Sequence, residues 1–350
     1  MKSFFYFFFV LMVFALVFVS CDNEPKIPIQ RQLEPGQIEL IVIPSKASSV
    51  NLFFYVEEIT IDWGDGTVED IAPKGFSIHQ HQFSDSDEPQ IILISTKGLT
   101  EFSQFGATEV RFGYAPDLRT VATWVDFSYP PVGQNLRRLD VTKLNALENL
   151  SVFGTQLTHL DVSKNTALTR LTVNSTQLTS LDLSNNTALL YVNAQRNQLT
   201  NLDVTNNIAL QHLIVSGNRL TNIDLNNNIN LRTLCLHSNQ LTGLDVSKNA
   251  DLRILSLHGN QLTSLDVSRN IELEVLRTGL NQLTSLDVSN NTELFEVGVW
   301  RNQLTASALN SLFESLPTIY HGQIDVANNP GTNDSDRSIA ENKGWQVFWR

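Results

Sequence analysis

A chain of 350 residues with 42% hydrophobic and 17% charged side chains is ordinary globular material with room for two or three domains, not a disordered polymer. The formal net charge of −12, with no basic run anywhere, argues against a nucleic-acid partner, because affinity for phosphate backbones comes from clustered Lys and Arg. Two cysteines, Cys21 and Cys235, are too few for a disulfide-stapled scaffold, so stability has to come from packing.

Lys2 supplies a positive start, and residues 4–19 follow without a charge. That run is shorter than the roughly 20 residues of a membrane span and suits the core of a signal peptide over 1–20, with an uncleaved signal anchor as the alternative. It ends Val17-Phe18-Val19-Ser20-Cys21, which resembles a bacterial lipobox, although Phe18 is bulkier than that motif prefers. The resemblance implies lipidation of Cys21 and attachment to a membrane through acyl chains alone, each buried methylene contributing about 0.8 kcal/mol. Asp22-Asn23-Glu24 behind the cysteine resembles the surface-export signal of Bacteroidota lipoproteins, which implies a surface-exposed protein on a Gram-negative outer membrane. In enterobacteria, Asp after the cysteine would instead imply retention in the inner membrane. Residues 21–36 carry Pro25, Pro28 and Pro35 without apolar periodicity and are expected to form a tether.

From 37 to 97 the pattern has period two: Ile38, Leu40 and Val42, then Val50, Leu52, Phe54 and Val56, then Ile59, Ile61 and Trp63. Asp65-Gly66 between two β-prone runs, 58–63 and 67–71, predicts a tight hairpin. The stretch Ile61-Asp62-Trp63-Gly64-Asp65-Gly66-Thr67, with His81-Gln82-Phe83 and Ile91-Ile92-Leu93-Ile94 later, resembles the polycystic-kidney-disease (PKD) type of immunoglobulin-like sandwich. A small β-sandwich serving as a spacer is therefore expected here. Calcium at Asp62 and Asp65 is the sharper alternative, but the spacing is not that of an EF-hand loop, and turn formation already explains both residues.

Leu157, Leu178, Leu199, Leu220, Leu241, Leu262, Leu283 and Leu304 then recur every 21 residues. Segments such as Leu252-Arg253-Ile254-Leu255-Ser256-Leu257-His258-Gly259-Asn260 have the leucine-rich-repeat pattern. No turn can bury its own leucines, so neighbours do it for one another. The prediction for 98–316 is an α/β-type solenoid that is mostly β, with a parallel sheet on its concave side and few helices. Leu99 and Phe102, Leu118 and Val121, and Leu136, Leu139 and Asp140 read as weaker first turns. Asn197, Asn218, Asn239, Asn260, Asn281 and Asn302 predict a buried ladder, since an amide can satisfy backbone groups left unpaired at each bend. Thr155 and Thr176 stand in its first two places and predict looser turns. The repeats resemble the 21-residue internalin J-like family of bacterial surface proteins and their Bacteroidota counterparts. The cysteine ladder of that family is missing: its places hold Val215, Leu236, Leu257, Thr278 and Val299, and Cys235 falls one residue away as a lone thiol.

Residues 307–316 predict a helix ended by Pro317, and 317–350 a cap. The cap should contain a last strand at Ile324-Asp325-Val326, a turn at Asn329-Pro330-Gly331, and a helix over 335–343 capped by Asp334 or Ser335. Trp345, Val347, Phe348 and Trp349 would close the open end of the core.

The sequence holds no phosphate loop, nucleophile elbow or metalloprotease helix, so binding is expected rather than catalysis, with no cofactor and no resident metal. Among the outward strand positions, Tyr191, His212, His237, His258, Arg277 and Trp300 are of the types that dominate interface hot spots. Each is weighed against the plainer reading of a solvated sheet face. His237 and His258 should stack about 4.8 Å apart, one strand spacing. A zinc site shared with Cys235 is the sharper reading of that pair. Asp140, Asp161, Asp182, Asp203, Asp224, Asp245, Asp266 and Asp287 form an acidic ladder, read first as turn-forming carboxylates and alternatively as calcium ligands. A monomeric surface adhesin with a protein ligand is the leading expectation. A glycan-binding lipoprotein for nutrient capture is the alternative, weakened because Trp300 and Tyr191 lie five turns apart, and a purely structural envelope protein is the third.

Overall fold

The structure, a computed structural model of the chain, describes residues 37–42, 49–56, 58–63, 65–71, 75–82, 90–97, 101–105, 109–112, 118–123 and 136–349. The expected export signal over 1–20, Cys21 and the expected tether over 21–36 lie outside these residues, as do Leu99 and the side chains of Val42, Val50, Phe54, Val56 and Phe102. The described chain divides into two compact units. One holds the residues up to Lys143 with Phe153–Gln156, and the other Leu144–Val152 with Leu157–Arg350.

The first unit contains β1 (Gln37–Val42), β2 (Ser49–Val56), β3 (Glu58–Asp62), β4 (Val68–Ile71), β5 (Gly75–Gln82), β6 (Gln90–Lys97), β7 (Glu101–Phe105), β8 (Glu109–Phe112), β9 (Thr120–Thr123) and β10 (Arg138–Asp140). One sheet runs β10-β8-β1-β6-β3-β4, antiparallel except where β10 joins β8. A second set runs β9-β7-β2-β5, antiparallel except where β9 joins β7. The apolar positions of the period-two pattern, Ile38, Leu40, Ile59, Ile61 and Trp63, are buried, and Asp62 between two of them is exposed, whereas Glu39 on β1 is buried as well. The β3–β4 hairpin forms where Asp65-Gly66 predicts it. Gly66 takes φ +96°, which a side chain would resist, and the Asp65 carboxylate accepts the Thr67 N–H at 3.0 Å.

The second unit is the leucine-rich-repeat solenoid that the spacing predicts. Its strands are β11 (Asn149–Phe153), β12 (Arg170–Asn174), β13 (Tyr191–Asn193), β14 (His212–Ile214), β15 (Thr233–Cys235), β16 (Ile254–Ser256), β17 (Val275–Arg277), β18 (Glu296–Gly298), β19 (Gly322–Asp325) and β20 (Trp345–Phe348), with helices α1 (Ala306–Ser315) and α2 (Ser338–Glu341). Each strand neighbours the next, and from β12 to β20 all pairs are parallel. The register preserves the repeat, so Tyr191, His212, Thr233, Ile254, Val275 and Glu296 stand side by side. Leu252, Leu255 and Leu257 and their counterparts are wholly buried, each contributing about 1.5–3 kcal/mol of transfer free energy. Val215, Leu236, Leu257, Thr278 and Val299 are all interior, and Thr278 satisfies its hydroxyl on the Gly298 carbonyl at 3.3 Å.

Each turn bends at a left-handed residue: Gly154, Ser175, Arg196, Gly217, Ser238, Gly259, Leu280 and Arg301 have φ between 51° and 69°. The ladder asparagines stitch these bends together. Asn260 Oδ1 accepts the Leu241 N–H at 3.0 Å, while its Nδ2 donates to Leu257 O at 2.8 Å and Leu236 O at 3.0 Å. The same pattern recurs at Asn197, Asn218, Asn239, Asn281 and Asn302, and Asn329 extends it one turn further. In the earlier turn the Thr176 hydroxyl donates to Asn197 Oδ1. Thr176 lacks the amide's two donors but is itself buried and bonded.

A second column of amides runs through Asn165, Asn186, Asn207, Asn228, Asn249, Asn270 and Asn291, all fully buried. Asn249 Nδ2 donates to Leu225 O and Asn228 O at 3.2 and 2.9 Å, but its Oδ1 has no partner among the described residues.

Helix α1 is capped by Thr305, whose hydroxyl accepts from Ala308 N–H at 3.3 Å, and ends before Pro317 as predicted. Helix α2 is shorter than 335–343, and neither Asp334 nor Ser335 caps it. The Asp336 carboxylate accepts the Ser338 N–H at 3.1 Å, while Ser335 donates its hydroxyl to Thr332 O at 3.3 Å. Closure of the core also differs from expectation. Trp345 is buried and donates its indole N–H to Pro317 O at 2.7 Å, but strand alternation leaves Phe348 43% exposed. Trp349 lies under the Arg337 guanidinium at 3.9 Å.

Candidate ligand-binding face

The free side of the parallel sheet is a grid in which every second strand residue faces outward. On β17 and the residues after it, these are Val275, Arg277 and Gly279; on the next turn they are Glu296, Gly298 and Trp300. All six residues expected on this face are half-buried, and the structure gathers five of them into two ring clusters.

The first cluster is Arg170, Tyr191 and His212. The guanidinium sits 4.9 Å from the Tyr191 ring centroid, and the His212 ring is 6.0 Å from Tyr191. The second is His237, His258 and Trp300. The imidazoles stack with centroids 4.2 Å apart and planes within 8°, closer than one strand spacing, and Trp300 follows 5.7 Å beyond His258. Trp300 lies one full turn further along than its neighbour in the column would, and glycine explains how. The six-membered ring of its indole occupies the space that a Cβ on Gly279 would fill, and also crowds the corresponding position on Gly298. The Gly279 Cβ position lies 2.2–2.5 Å from three adjacent ring atoms, so one face of the indole covers that bare backbone, and the ring is tilted 40° to the His258 imidazole.

Arg277 stands between these glycines and Glu296. Its Nε donates to Oε1 at 2.6 Å and its Nη2 to Oε2 at 3.0 Å, a bidentate fork with both side chains partly exposed. Donation to this carboxylate is the main reason the guanidinium is held above its ordinary pKa.

Burial lowers the pKa of His212, His237 and His258 below the usual value of 6.5, assisted by Arg170 and Arg232 at His212, Arg196 at His237, and His237 and Arg277 at His258. At neutral pH the stacked pair is therefore uncharged, and its Nδ1 atoms lie 3.4 and 3.2 Å from the Ser238 and Ser256 hydroxyls. Burial raises the Cys235 thiol, so it is a free but unactivated group. Cys235, His237 and His258 do not assemble as a metal site: among the described residues no group of three His, Cys, Asp or Glu is placed to hold an ion.

The Asp ladder does what turn formation requires. Each carboxylate from Asp140 to Asp287 accepts the N–H two residues on at 2.9–3.0 Å. These local hydrogen bonds lower the pKa of Asp161, Asp182, Asp203, Asp245 and Asp266. A shallow depression of about 270 Å³ lies beside Asp245, Asp266 and Arg269, apart from the six sheet-face residues.

Sequence reasoning places Glu296, Gly279 and Arg170 in the outward columns of the face but does not count them among the six ligand-binding candidates. Glu296 and the glycines occupy regular outward columns, so spacing gave their positions; their partnership with Arg277 and Trp300 needed the side-chain directions.

The chain is similar to the functional domain of InlJ from Listeria monocytogenes, at 36% identity over 59% of this chain and 44% of that one, with TM-score 0.53. It therefore spans less than half of the InlJ chain. That domain includes a cysteine ladder, whereas this chain has two cysteines in all. An internalin, InlF, from the same organism is similar at 23% identity over 56% of this chain and 65% of its own, with TM-score 0.48. The LRIM1/APL1C complex shares the fold at 20% identity over 65% and 44% of the two chains, with TM-score 0.53. No family model and no curated protein matches the chain.

Proposed function

We propose that this chain is a surface lipoprotein that binds a partner protein through the free face of its parallel sheet, acting as an adhesion module and not as an enzyme. The observation that carries the reading is the His237–His258–Trp300 ledge beside the Arg277–Glu296 fork: rigid rings and a pre-formed ion pair concentrated on an otherwise modest surface. Leucine-rich-repeat proteins are typically protein-interaction modules, which fits a protein ligand. In this reading Cys21 carries the lipid on an outer membrane, 21–36 is the tether, a PKD-like domain over 37–97 is the spacer, and the solenoid over 98–316 with its cap over 317–350 binds as a monomer.

The test uses the chain from Asp22 onward against an array of purified secreted and surface proteins, beside a triple variant carrying Trp300→Ala, His258→Ala and Arg277→Ala. A partner bound by the parent and lost by the triple variant supports the proposal; undiminished binding by the variant sinks the sheet-face assignment. Glycan capture is the second reading, and the clustering of three rings around Trp300 favours it, because the ledge no longer depends on the distant Tyr191.

A further inference from the structure

We infer that the Trp300 indole is a subsite for one neutral pyranose ring, stacked on the indole face turned away from Gly279 with two adjacent hydroxyls on the Arg277–Glu296 fork. This deepens the reading of the sheet face as the binding surface and rests on it. Three features of the geometry lead there. One face of the indole covers the Gly279 backbone, where no Cβ intervenes, so the half-buried ring has its opposite face, an apolar surface about the size of a sugar ring, turned away from that backbone. A sugar has just such a face, formed by its C–H bonds.

The fork supplies the complementary polar pattern. The two bonds to Glu296 use two of the five guanidinium N–H groups and leave three as donors, while the carboxylate oxygens keep lone pairs. A pair of neighbouring hydroxyls can accept from the one and donate to the other without changing the pairing. Because Arg277 is already neutralised by Glu296, the fork gives no net reward to a carboxylated or sulfated ring, and a neutral sugar fits best. The distances are compatible: Arg277 pairs in register with Gly298, which lies against the indole, so stack and fork are one grid step apart, roughly 5 Å. His258 closes the far side of the indole with an uncharged ring.

The probes are methyl β-glucopyranoside, methyl β-galactopyranoside and methyl α-mannopyranoside at millimolar concentration, read by saturation-transfer NMR on the chain from Asp22 onward. At least one should receive saturation at its ring C–H protons. Trp300→Ala should weaken it about tenfold or more, as expected for loss of one aromatic stack with its flanking contacts. Gly279→Ala is the sharper variant, since it keeps the tryptophan but puts a methyl where the ring lies; it should weaken binding comparably while the chain stays folded, as read by circular dichroism. Arg277→Lys, which keeps the charge and loses the fork, should also weaken it. No saturation with any of the three glycosides, or binding unaffected by both Trp300→Ala and Gly279→Ala, overturns the inference.

The source of the sugar is separated by a mucin-type glycoprotein before and after enzymatic deglycosylation, beside a free neutral polysaccharide. Should a protein partner bind equally well without its glycans yet be lost on Trp300→Ala, the sheet-face reading survives and the sugar inference falls. If neither proteins nor sugars respond to any sheet-face substitution, both fall.

Discussion

Asn260→Ala is the most informative perturbation of the scaffold. The native amide makes three hydrogen bonds across two turns. Its loss leaves the buried Leu241 N–H without the Oδ1 acceptor that the ladder provides, at a cost of about 1–3 kcal/mol. The two carbonyls are protected: Leu236 O still accepts from Asn239 and Leu257 O from Asn281, so each lost bond costs only about 0.5–1.5 kcal/mol. The sum is about 2–6 kcal/mol, a large part of the stability of an ordinary domain. Asn249→Ala provides the contrast. Its carbonyl partners Leu225 O and Asn228 O also accept the Asn228 and Leu231 N–H groups, and the substitution removes an unpartnered Oδ1 as well. It should cost about 1–2 kcal/mol. Urea unfolding gives the totals, and hydrogen-exchange mass spectrometry should show the damage confined to neighbouring turns, because each repeat touches only its neighbours. An Asn260→Ala cost below about 1 kcal/mol, or equal costs for the two variants, would refute this accounting of orphaned groups.

Three further outcomes are expected. Leu280 holds φ +55° at an exposed bend, so Leu280→Gly should raise stability by about 0.5–1 kcal/mol, while Gly259→Ala, at φ +69°, should lower it by about 1 kcal/mol, both read from urea midpoints. Because burial lowers the pKa of His237 and His258, the unfolded chain takes up their protons first as pH falls. Stability should therefore decline from about pH 6.5 down through the folded-state pKa values and level off below them. Melting temperatures between pH 7.5 and 4.5 should show this step shrinking in His237→Asn with His258→Asn; an unchanged step would assign it to other groups. Cys21→Ala should abolish incorporation of an alkyne-tagged fatty acid in a bacterial host and release the protein from the membrane fraction, whereas continued labelling would remove the anchor.

The repeat was legible because burial and spacing are the same constraint here: a leucine every 21 residues can only mean a stacked core, and the strands duly register Tyr191 against His212 and onward. The first Asn column was legible for a similar reason, since it recurs at the same 21-residue spacing just after the leucines of each strand segment. The second was hidden in plain view. Asn207 follows Asn206 in a polar segment that looks like surface turn, yet it is wholly buried, and nothing in residue type separates it from that exposed neighbour.

The left-handed bends show the same limit. Gly217 and Gly259 announce theirs, but Arg196 and Leu280 adopt the same conformation because the ladder on either side imposes it. In the candidate site, column membership placed His237 beside His258 correctly. It could not show that Trp300 reaches back over Gly279, because that depends on two glycines on different turns creating one space. At the cap, four apolar residues looked equivalent, and strand alternation decided that Trp345 goes in while Phe348 does not.

The most direct measurement of the binding claim is a hydrogen-exchange footprint of the chain saturated with whichever ligand its array selects. Protection is predicted over 254–259, 275–280 and 296–301, the segments that carry His258, Arg277 and Trp300. Protection confined instead to the Asp-ladder segments, such as 245–249 and 266–270, would contradict it.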